Sequence, residues 1–228
     1  MKALILAAGK RSNLLPFTAT RPKTMINVAG KFVLERTIQL LKESGINVIN
    51  IVVGHKKEKI INFFESSNYS NLNLHYIEQK RSIGIGDAIL QARDRFDPGE
   101  YFILIYGDIL TAANIFNHTL QSFGSTKSPV ASICLTSSSG MFGNVYLDEE
   151  MKITKMIEKP KKPDLCNYVL SGVYILPASF FDLLKKSNKN MEKAFGKLIE
   201  KGDLAASIWE EDWIDIAYPW DILKANKV

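Results

Sequence analysis

Short apolar runs alternate with helix-period patterns from the first residue onward. Ala3-Leu4-Ile5-Leu6-Ala7 reads as a buried strand. Val33, Leu34, Thr37, Ile38 and Leu41 recur at helical spacing, and Gly45 stands where a C-terminal cap belongs. The pattern then predicts a strand over Val48 to Val53, a helix over Lys56 to Phe64, a strand over His75 to Glu78, a helix over Asp87 to Arg95 and a strand over Tyr101 to Tyr106. A β-branched and aromatic run without alternation belongs inside a sheet covered on both faces. The strand–helix alternation predicts an α/β fold, a doubly wound and mostly parallel sheet.

The second half changes character. Val130 to Leu135, Asn144 to Leu147, Ile153 to Glu158 and Tyr168 to Leu176 predict strands that follow one another without long helices between them. Helical patterns return at Ala178 to Lys186, Met191 to Lys201 and Pro219 to Lys227. There is no internal repeat and no linker rich in Gly, Ser or Pro. The expectation is a single α/β domain over 1–228, with a smaller, more antiparallel C-terminal lobe.

Composition narrows the function classes. The 228 residues are 46% hydrophobic and 23% charged, enough apolar material for a sizeable core, which excludes disordered and low-complexity readings. The net charge of +5 is spread along the chain. Its tight basic cluster, Lys159, Lys161 and Lys162, reads as a solvated loop, so no nucleic-acid partner is expected. Cys134 and Cys166 are too few for a disulfide framework or a thiolate zinc site and read as buried free thiols. His55, His75 and His118 share no metal-ligand spacing. No apolar run approaches the ~18–20 residues that span a membrane, and Ala3 to Ala8 is too short for a signal-peptide core. A cytoplasmic protein without a membrane partner is expected.

In open α/β sheets, ligands sit beyond the carboxyl ends of the strands. The loops that matter are therefore Ala8 to Thr18, Gln79 to Gly86 and Tyr106 to Leu110. Ala7-Ala8-Gly9-Lys10-Arg11 leaves its strand with small residues and then two cations, which suits either a tight turn or a phosphate cradle. It fits neither the P-loop nor the dinucleotide spacing. Lys23 follows a fixed proline; it is a solvated lysine or a point charge for a phosphate. Asp108 ends an apolar strand through Tyr106-Gly107-Asp108, where it either caps a helix or holds a divalent cation. Trp213-Ile214-Asp215-Ile216 sets another acid in an apolar stretch, and the two acids can share one Mg²⁺ with a bound nucleotide.

Taken in order, these segments resemble the sugar-1-phosphate nucleotidyltransferase family, the NDP-sugar pyrophosphorylases. Met1 to Gly9 is similar to the family's first strand and phosphate loop. Pro16-Phe17-Thr18 and Arg21-Pro22-Lys23-Thr24-Met25 are similar to its next signature. Tyr76-Ile77-Glu78-Gln79 with Gly84 resembles the base-reading segment, and Tyr106-Gly107-Asp108 the metal turn. Gly143, Glu158-Lys159-Pro160 and Ser171-Gly172-Val173-Tyr174 resemble the sugar side; Trp213 to Ile216 with Pro219-Trp220-Asp221 resembles the second metal turn. The resemblance covers essentially the whole chain and corresponds to the catalytic domain, which in many members continues into a β-helical acyltransferase domain.

The resemblance implies a Rossmann-like nucleotidyltransferase fold, with a nucleotide-binding half over about 1–125 and a sugar-binding half over about 126–228. It implies Mg²⁺-dependent attack of a sugar 1-phosphate oxygen on the α-phosphorus of a nucleoside triphosphate, with pyrophosphate leaving. Asp108 and Asp215 would hold the metal, Lys23 and Arg11 would contact phosphate, and Asp108 would stand at the reacting centre. Ala8, Gly9, Gln79 and Gly84 would meet the nucleotide, Gln79 at the base edge; Gly143, Glu158, Lys159 and Gly172 would meet the sugar phosphate. Glutamine at the base edge suits UTP or dTTP, with glucose or N-acetylglucosamine 1-phosphate as acceptors. Strand edges left open in the C-terminal half suit a homo-oligomer.

Five positions depart from the family pattern. Arg11 replaces the loop's second glycine, Asn13 its arginine, Ile85 the threonine after Gly84, Leu170 a sugar-side asparagine, and Ala217 the glycine after the second acid. Arg11 either blocks the triphosphate or supplies the guanidinium lost at Asn13. Two alternatives therefore stand beside the active enzyme: a cytidylyltransferase acting on a non-sugar phosphate, and a catalytically weak paralogue that binds a nucleotide in a regulatory role.

Overall fold

The computed structural model describes residues 1–10, 12–66, 69, 71–135, 142–158 and 168–227, with Ser12 and Glu158 described by their backbone alone. Four parallel strands form the heart of the fold: β1 (Lys2–Ala7), β4 (Val48–Val53), β5 (Asn73–Glu78) and β6 (Tyr101–Tyr106). Their order is β6-β1-β4-β5, so all four carboxyl ends lie on one edge. Beyond β6 the sheet continues with β11 (Tyr168–Pro177), antiparallel to it, and then β9 (Gly143–Leu147) and β10 (Ile153–Glu158). β8 (Val130–Leu135) pairs with β11, and β12 (Ala205–Trp209) runs parallel to β8. The antiparallel strands thus extend the same sheet.

β11 changes partners part-way along. Its last five residues pair with β6, and its first two pair with β9. Between them the register to β8 shifts across Leu170–Tyr174, where Gly172 stands at φ +87°. An irregularity of this kind bends the strand and re-aims its neighbours, and it falls beside Tyr106, the last residue of β6.

Alternation along the strands fills two cores. Ala3, Ile5, Ile49, Ile51, Ile103 and Ile105 face one side, under α1 (Val33–Glu43), α2 (Lys57–Ser66) and α4 (Ile115–Thr126). Leu4, Val52, Phe102 and Leu104 face the other, under α3 (Ile85–Leu90), α5 (Phe180–Lys186) and α6 (Met191–Ile199). A third, smaller cluster joins Leu14, Ile26, Val33, Leu110, Ile216 and Ile222 beneath α7 (Pro219–Ala225). Two short antiparallel pairings lie outside the main sheet: β2 (Asn27–Val28) with β3 (Lys31–Phe32), and β7 (Ile109–Thr111) with β13 (Trp213–Asp215).

Several elements differ from the sequence expectation. The helix expected over Asp87 to Arg95 is shorter: α3 ends at Leu90, Ala92 leaves the helical region at φ −93° and ψ 0°, and Arg93–Arg95 form one 3₁₀ turn. α4 was not expected, because Asn117, His118 and Gly124 break up its apolar stripe. β12 was not expected either, since Ala-Ala-Ser carries no strand pattern of its own. Gly45 ends α1 at φ +76°, as the sequence predicted. Cys134 is buried and a free thiol; Cys166 lies outside the described residues. Among the described residues no helix is long and apolar enough to cross a membrane.

Candidate active site

Asp108 leaves the end of β6 through Gly107. A Cβ at Gly107 would lie 2.7 Å from the Leu6 carbonyl oxygen and 3.0 Å from Thr24 Cγ2, so only glycine lets the turn pack this closely on β1. The Gly107 N–H donates to the same Leu6 oxygen at 3.1 Å. Asp215 arrives from far along the chain at the end of β13, which pairs with β7 so that Asp215 sits opposite Ile109. The Ile216 N–H closes the turn on the Asp108 carbonyl oxygen at 3.0 Å. The two acids are therefore set side by side by a two-stranded ribbon too short to read in the sequence.

Lys23 stands between them. It begins a 3₁₀ turn after Pro22 and is only 5% exposed, against the solvated lysine that its isolation in sequence allowed. Its Nζ hydrogen-bonds the Asp108 carboxylate and lies 3.3 Å from Asp215 Oδ1. The partners are 85 and 192 residues away from it in sequence. A buried ammonium needs such partners, and the carboxylates, each about one-fifth exposed, keep an open side toward solvent.

The second acidic turn is braced from two directions. Asp221 Oδ2 accepts the backbone N–H groups of Ala217 and Tyr218 at 3.0 and 2.8 Å, capping α7. The Trp213 ring meets Phe142 edge-on at 5.3 Å.

The other expected residues are distributed along the same edge. Ala8 is buried at the end of β1, while Gly9 is exposed, with open space where a side chain would be. Gln79 follows β5 and is 7% exposed, its Nε2 donating to the Gly84 carbonyl oxygen at 3.1 Å. Three strand spacings, about 14 Å, separate the end of β5, which carries Gln79, from the end of β6, which carries Asp108. Gly172 lies against Tyr106 at the close of β6. Gly143 begins β9 opposite Glu158 at the end of β10 and follows Phe142, the residue against Trp213. Arg11, Lys159 and the Glu158 side chain lie outside the described residues.

Of the departing positions, Asn13 is exposed and Ile85 is 46% exposed. Leu170 packs its side chain into the apolar layer with Tyr106 and Tyr174, and Ala217 is buried beneath α7. Sequence reading missed His55, Asp87 and Lys189, and gave Trp213 no role beyond its place in the Asp215 segment. His55 follows β4 at the same edge, and burial, with Lys56 and Lys10 nearby, holds its pKa below 6.5.

The donor set suits a hard cation. Mg²⁺ is held by one or two carboxylates, with substrate phosphates and water completing its shell. Among the described residues no cluster of three or more His, Cys, Asp and Glu could hold a metal unaided. Two carboxylates with an open side fit a cation that takes the rest of its shell from a ligand and water.

The family model for nucleotidyl transferases matches residues 2–228. The chain belongs to that family. The bifunctional protein GlmU of Methanococcus maripaludis strain C7 is 36% identical over 233 residues, covering 99% of this chain and 54% of the relative. This chain thus spans about half the length of the first curated relatives it matches. The UTP–glucose-1-phosphate uridylyltransferase AglF of Haloferax volcanii is 30% identical, covering 97% of this chain and 93% of the relative. A UDP-glucose pyrophosphorylase solved with UDP-glucose superposes with a TM-score of 0.90 at 22% identity, covering 99% of this chain and 97% of that one. The UTP-bound enzyme of Acinetobacter baumannii gives 0.86 at 19%, over 99% and 92%. At these identities the structures establish the nucleotidyltransferase fold, a mixed and mostly parallel sheet between helices.

Proposed function

We propose that this chain transfers a nucleotidyl group from UTP or dTTP to a sugar 1-phosphate, glucose or N-acetylglucosamine 1-phosphate, and releases pyrophosphate. The observation that carries the reading is the meeting of Asp108, Asp215 and Lys23 at the carboxyl edge of the parallel strands. The names of the relatives, a uridylyltransferase among them, support the same class.

Asp108 and Asp215 would hold Mg²⁺, which when bound offsets the charge of the phosphates. Lys23, already at the acids, would turn its ammonium to the α-phosphate and stabilise charge that builds there during transfer. Ala8 and Gly9 would let the phosphates approach the backbone, with Arg11 as their guanidinium; Gln79 and Gly84 would hold the base. Gly143, Glu158, Lys159 and Gly172 would receive the sugar phosphate, so the nucleotide half spans about 1–125 and the sugar half about 126–228. The reaction then rests on positioning and electrostatics rather than on a covalent intermediate. A reaction between a nucleoside triphosphate and a sugar 1-phosphate would be cytoplasmic, and the chain would act as a monomer or a homo-oligomer.

The test is a pyrophosphate-release assay with Mg²⁺ that crosses UTP, dTTP, CTP, GTP and ATP against glucose, N-acetylglucosamine, mannose and choline phosphates. Release with UTP or dTTP and a sugar 1-phosphate is expected. Release with CTP and choline phosphate overturns the sugar assignment. Silence from protein that still binds a nucleotide overturns the enzyme.

A further inference from the structure

A side-chain amide can offer a base either its oxygen or its nitrogen, and at Gln79 that choice is made by the protein. Nε2 donates to the Gly84 carbonyl oxygen at 3.1 Å and to Asp87 Oδ2 at 3.0 Å. A carbonyl and an ionised carboxylate only accept, so the amide turned over would press its oxygen against two others. Both N–H bonds of Gln79 are thus spent inside the protein. Its Oε1 accepts no hydrogen bond from the described residues and is the atom left for a ligand.

Asp87 is itself held. It is buried in the first turn of α3, and its Oδ1 accepts from Lys189 Nζ at 2.7 Å. Burial alone would push this carboxyl up; the hydrogen bonds from Gln79 and Lys189, with the ammonium charge, outweigh it and hold the pKa below 3.8. Lys189 belongs to the turn between α5 and α6, where it and Asn188 both adopt positive φ, +63° and +51°. That conformation is costly for residues other than glycine. The turn is also pressed onto α3: a Cβ at Gly86 would lie 2.0 Å from the Lys189 carbonyl oxygen. Backbone contact and ion pair together fix one ammonium on one buried carboxylate.

We propose that the Asp87–Lys189 pair is a base-specificity device, which orients Gln79 as an acceptor-only reader for a ring N–H such as uracil or thymine N3–H. Cytosine and adenine present a lone pair at the corresponding ring nitrogen and meet the Gln79 oxygen without a proton between them. Guanine carries a ring N–H too, so purine size is a separate arm of the test. The inference rests on the reading above that Gln79 meets the base. Asp87 and Lys189 act through Gln79 and are positioning residues.

The experiment is equilibrium binding, by calorimetry, of UTP, dTTP, GTP, CTP and ATP to the wild-type chain and to Asp87→Asn, Lys189→Met and Lys189→Arg. Wild type is expected to prefer UTP or dTTP over CTP by about fiftyfold or more. In Asp87→Asn the new amide can donate to Gln79, so that the Gly84 carbonyl alone opposes a Gln79 amide with its nitrogen turned outward. The UTP-to-CTP ratio is expected to fall about tenfold, with CTP affinity rising. Lys189→Met should lower the ratio as well, and Lys189→Arg should keep it. Lys189 is half-exposed, so its variants stay folded even if Asp87→Asn does not. Parallel loss of UTP and CTP affinity in both variants overturns the proposal and leaves a structural ion pair. GTP binding as tightly as UTP overturns the pyrimidine assignment. A wild type that binds UTP and CTP alike overturns this inference alone, and one that binds no nucleotide overturns the functional reading beneath it.

Discussion

The indole N–H of Trp213 donates to the carbonyl oxygen of Ser171 at 2.8 Å, which hangs the strand carrying Asp215 on the irregular stretch of β11 that carries Gly172. One side chain thus ties the Asp215 turn to the stretch of β11 around Gly172. Trp213→Phe keeps a ring against Phe142 and removes the hydrogen bond. We expect a loss of about 1 kcal/mol in stability and a fall of about tenfold in kcat/KM. A urea titration reads the first, and steady-state kinetics at several Mg²⁺ concentrations the second. An unchanged Mg²⁺ requirement would show that the tie does not position Asp215.

A cation held by Asp108 and Asp215 would compete with Lys23 for the same two carboxylates. Removing it in Lys23→Met leaves Asp108 and Asp215 without their shared counter-charge, so divalent-ion binding to the nucleotide-free protein should tighten. Turnover should nonetheless fall by about 10²–10³, the usual cost of losing one charge-stabilising donor in the transition state. Mn²⁺ binding followed by electron paramagnetic resonance, set beside kcat, separates these effects. Tighter metal with undiminished kcat would reduce Lys23 to a counter-ion. The double variant Asp108→Asn with Asp215→Asn should abolish both metal binding and turnover.

Gly107 tests the close approach of the Asp108 turn to β1. In Gly107→Ala the added methyl carbon would meet the Leu6 carbonyl oxygen at 2.7 Å, a backbone atom within the central sheet. The turn must shift outward and carry Asp108 with it. A destabilisation of about 1–3 kcal/mol is expected from such overpacking, with activity falling further than that of a stability-matched core variant. Thermal melts and pyrophosphate release, measured together, check the pairing.

The buried strands were legible because each is an apolar run, broken in β4 only by Asn50; β1, β4 and β6 need nothing from elsewhere in the chain to be recognised. Asp108 was legible for the same reason, as a carboxylate where such a run stops. The residues that join the acids were not. β7 and β13 have three residues each, below the length at which alternation carries information. Lys189 and Trp213 act across the fold, and nothing local marks them: one is a lysine after a helix, the other a tryptophan in an apolar stretch. Asp87 read as an ordinary residue in the first turn of a helix, where acids are favoured. Its burial comes with the turn between α5 and α6, about a hundred residues away, which meets α3 only in the tertiary fold.

Cys134 gives a check on the core that is independent of activity. Burial pushes its thiol up to about 12, so almost no thiolate exists at neutral pH. With Cys166→Ser in place, Ellman's reagent should leave the native protein unlabelled over hours and react fully once the chain is unfolded. Rapid labelling of folded protein would mean that β8 and β12 open readily.

His55 offers the pH-dependent prediction. It follows β4, between the Gly9 loop and Gln79, and its imidazole is held below 6.5 by burial, with Lys56 and Lys10 adding to the effect. A lowered pKa means that the unfolded chain binds this proton more readily. Stability from this group is therefore complete above about pH 6.5 and declines as pH falls through that value. A triphosphate on the Gly9 loop would bring negative charge beside the ring and reverse the shift. Nucleotide binding should then be accompanied by proton uptake and should tighten as pH falls from 7 toward 6. NMR titration of the His55 ring, with and without UTP, reads this directly, with His55→Gln as the assignment control. An unmoved His55 would place the phosphates away from the β4 end and Lys10, and would count against the Gly9 loop as their cradle.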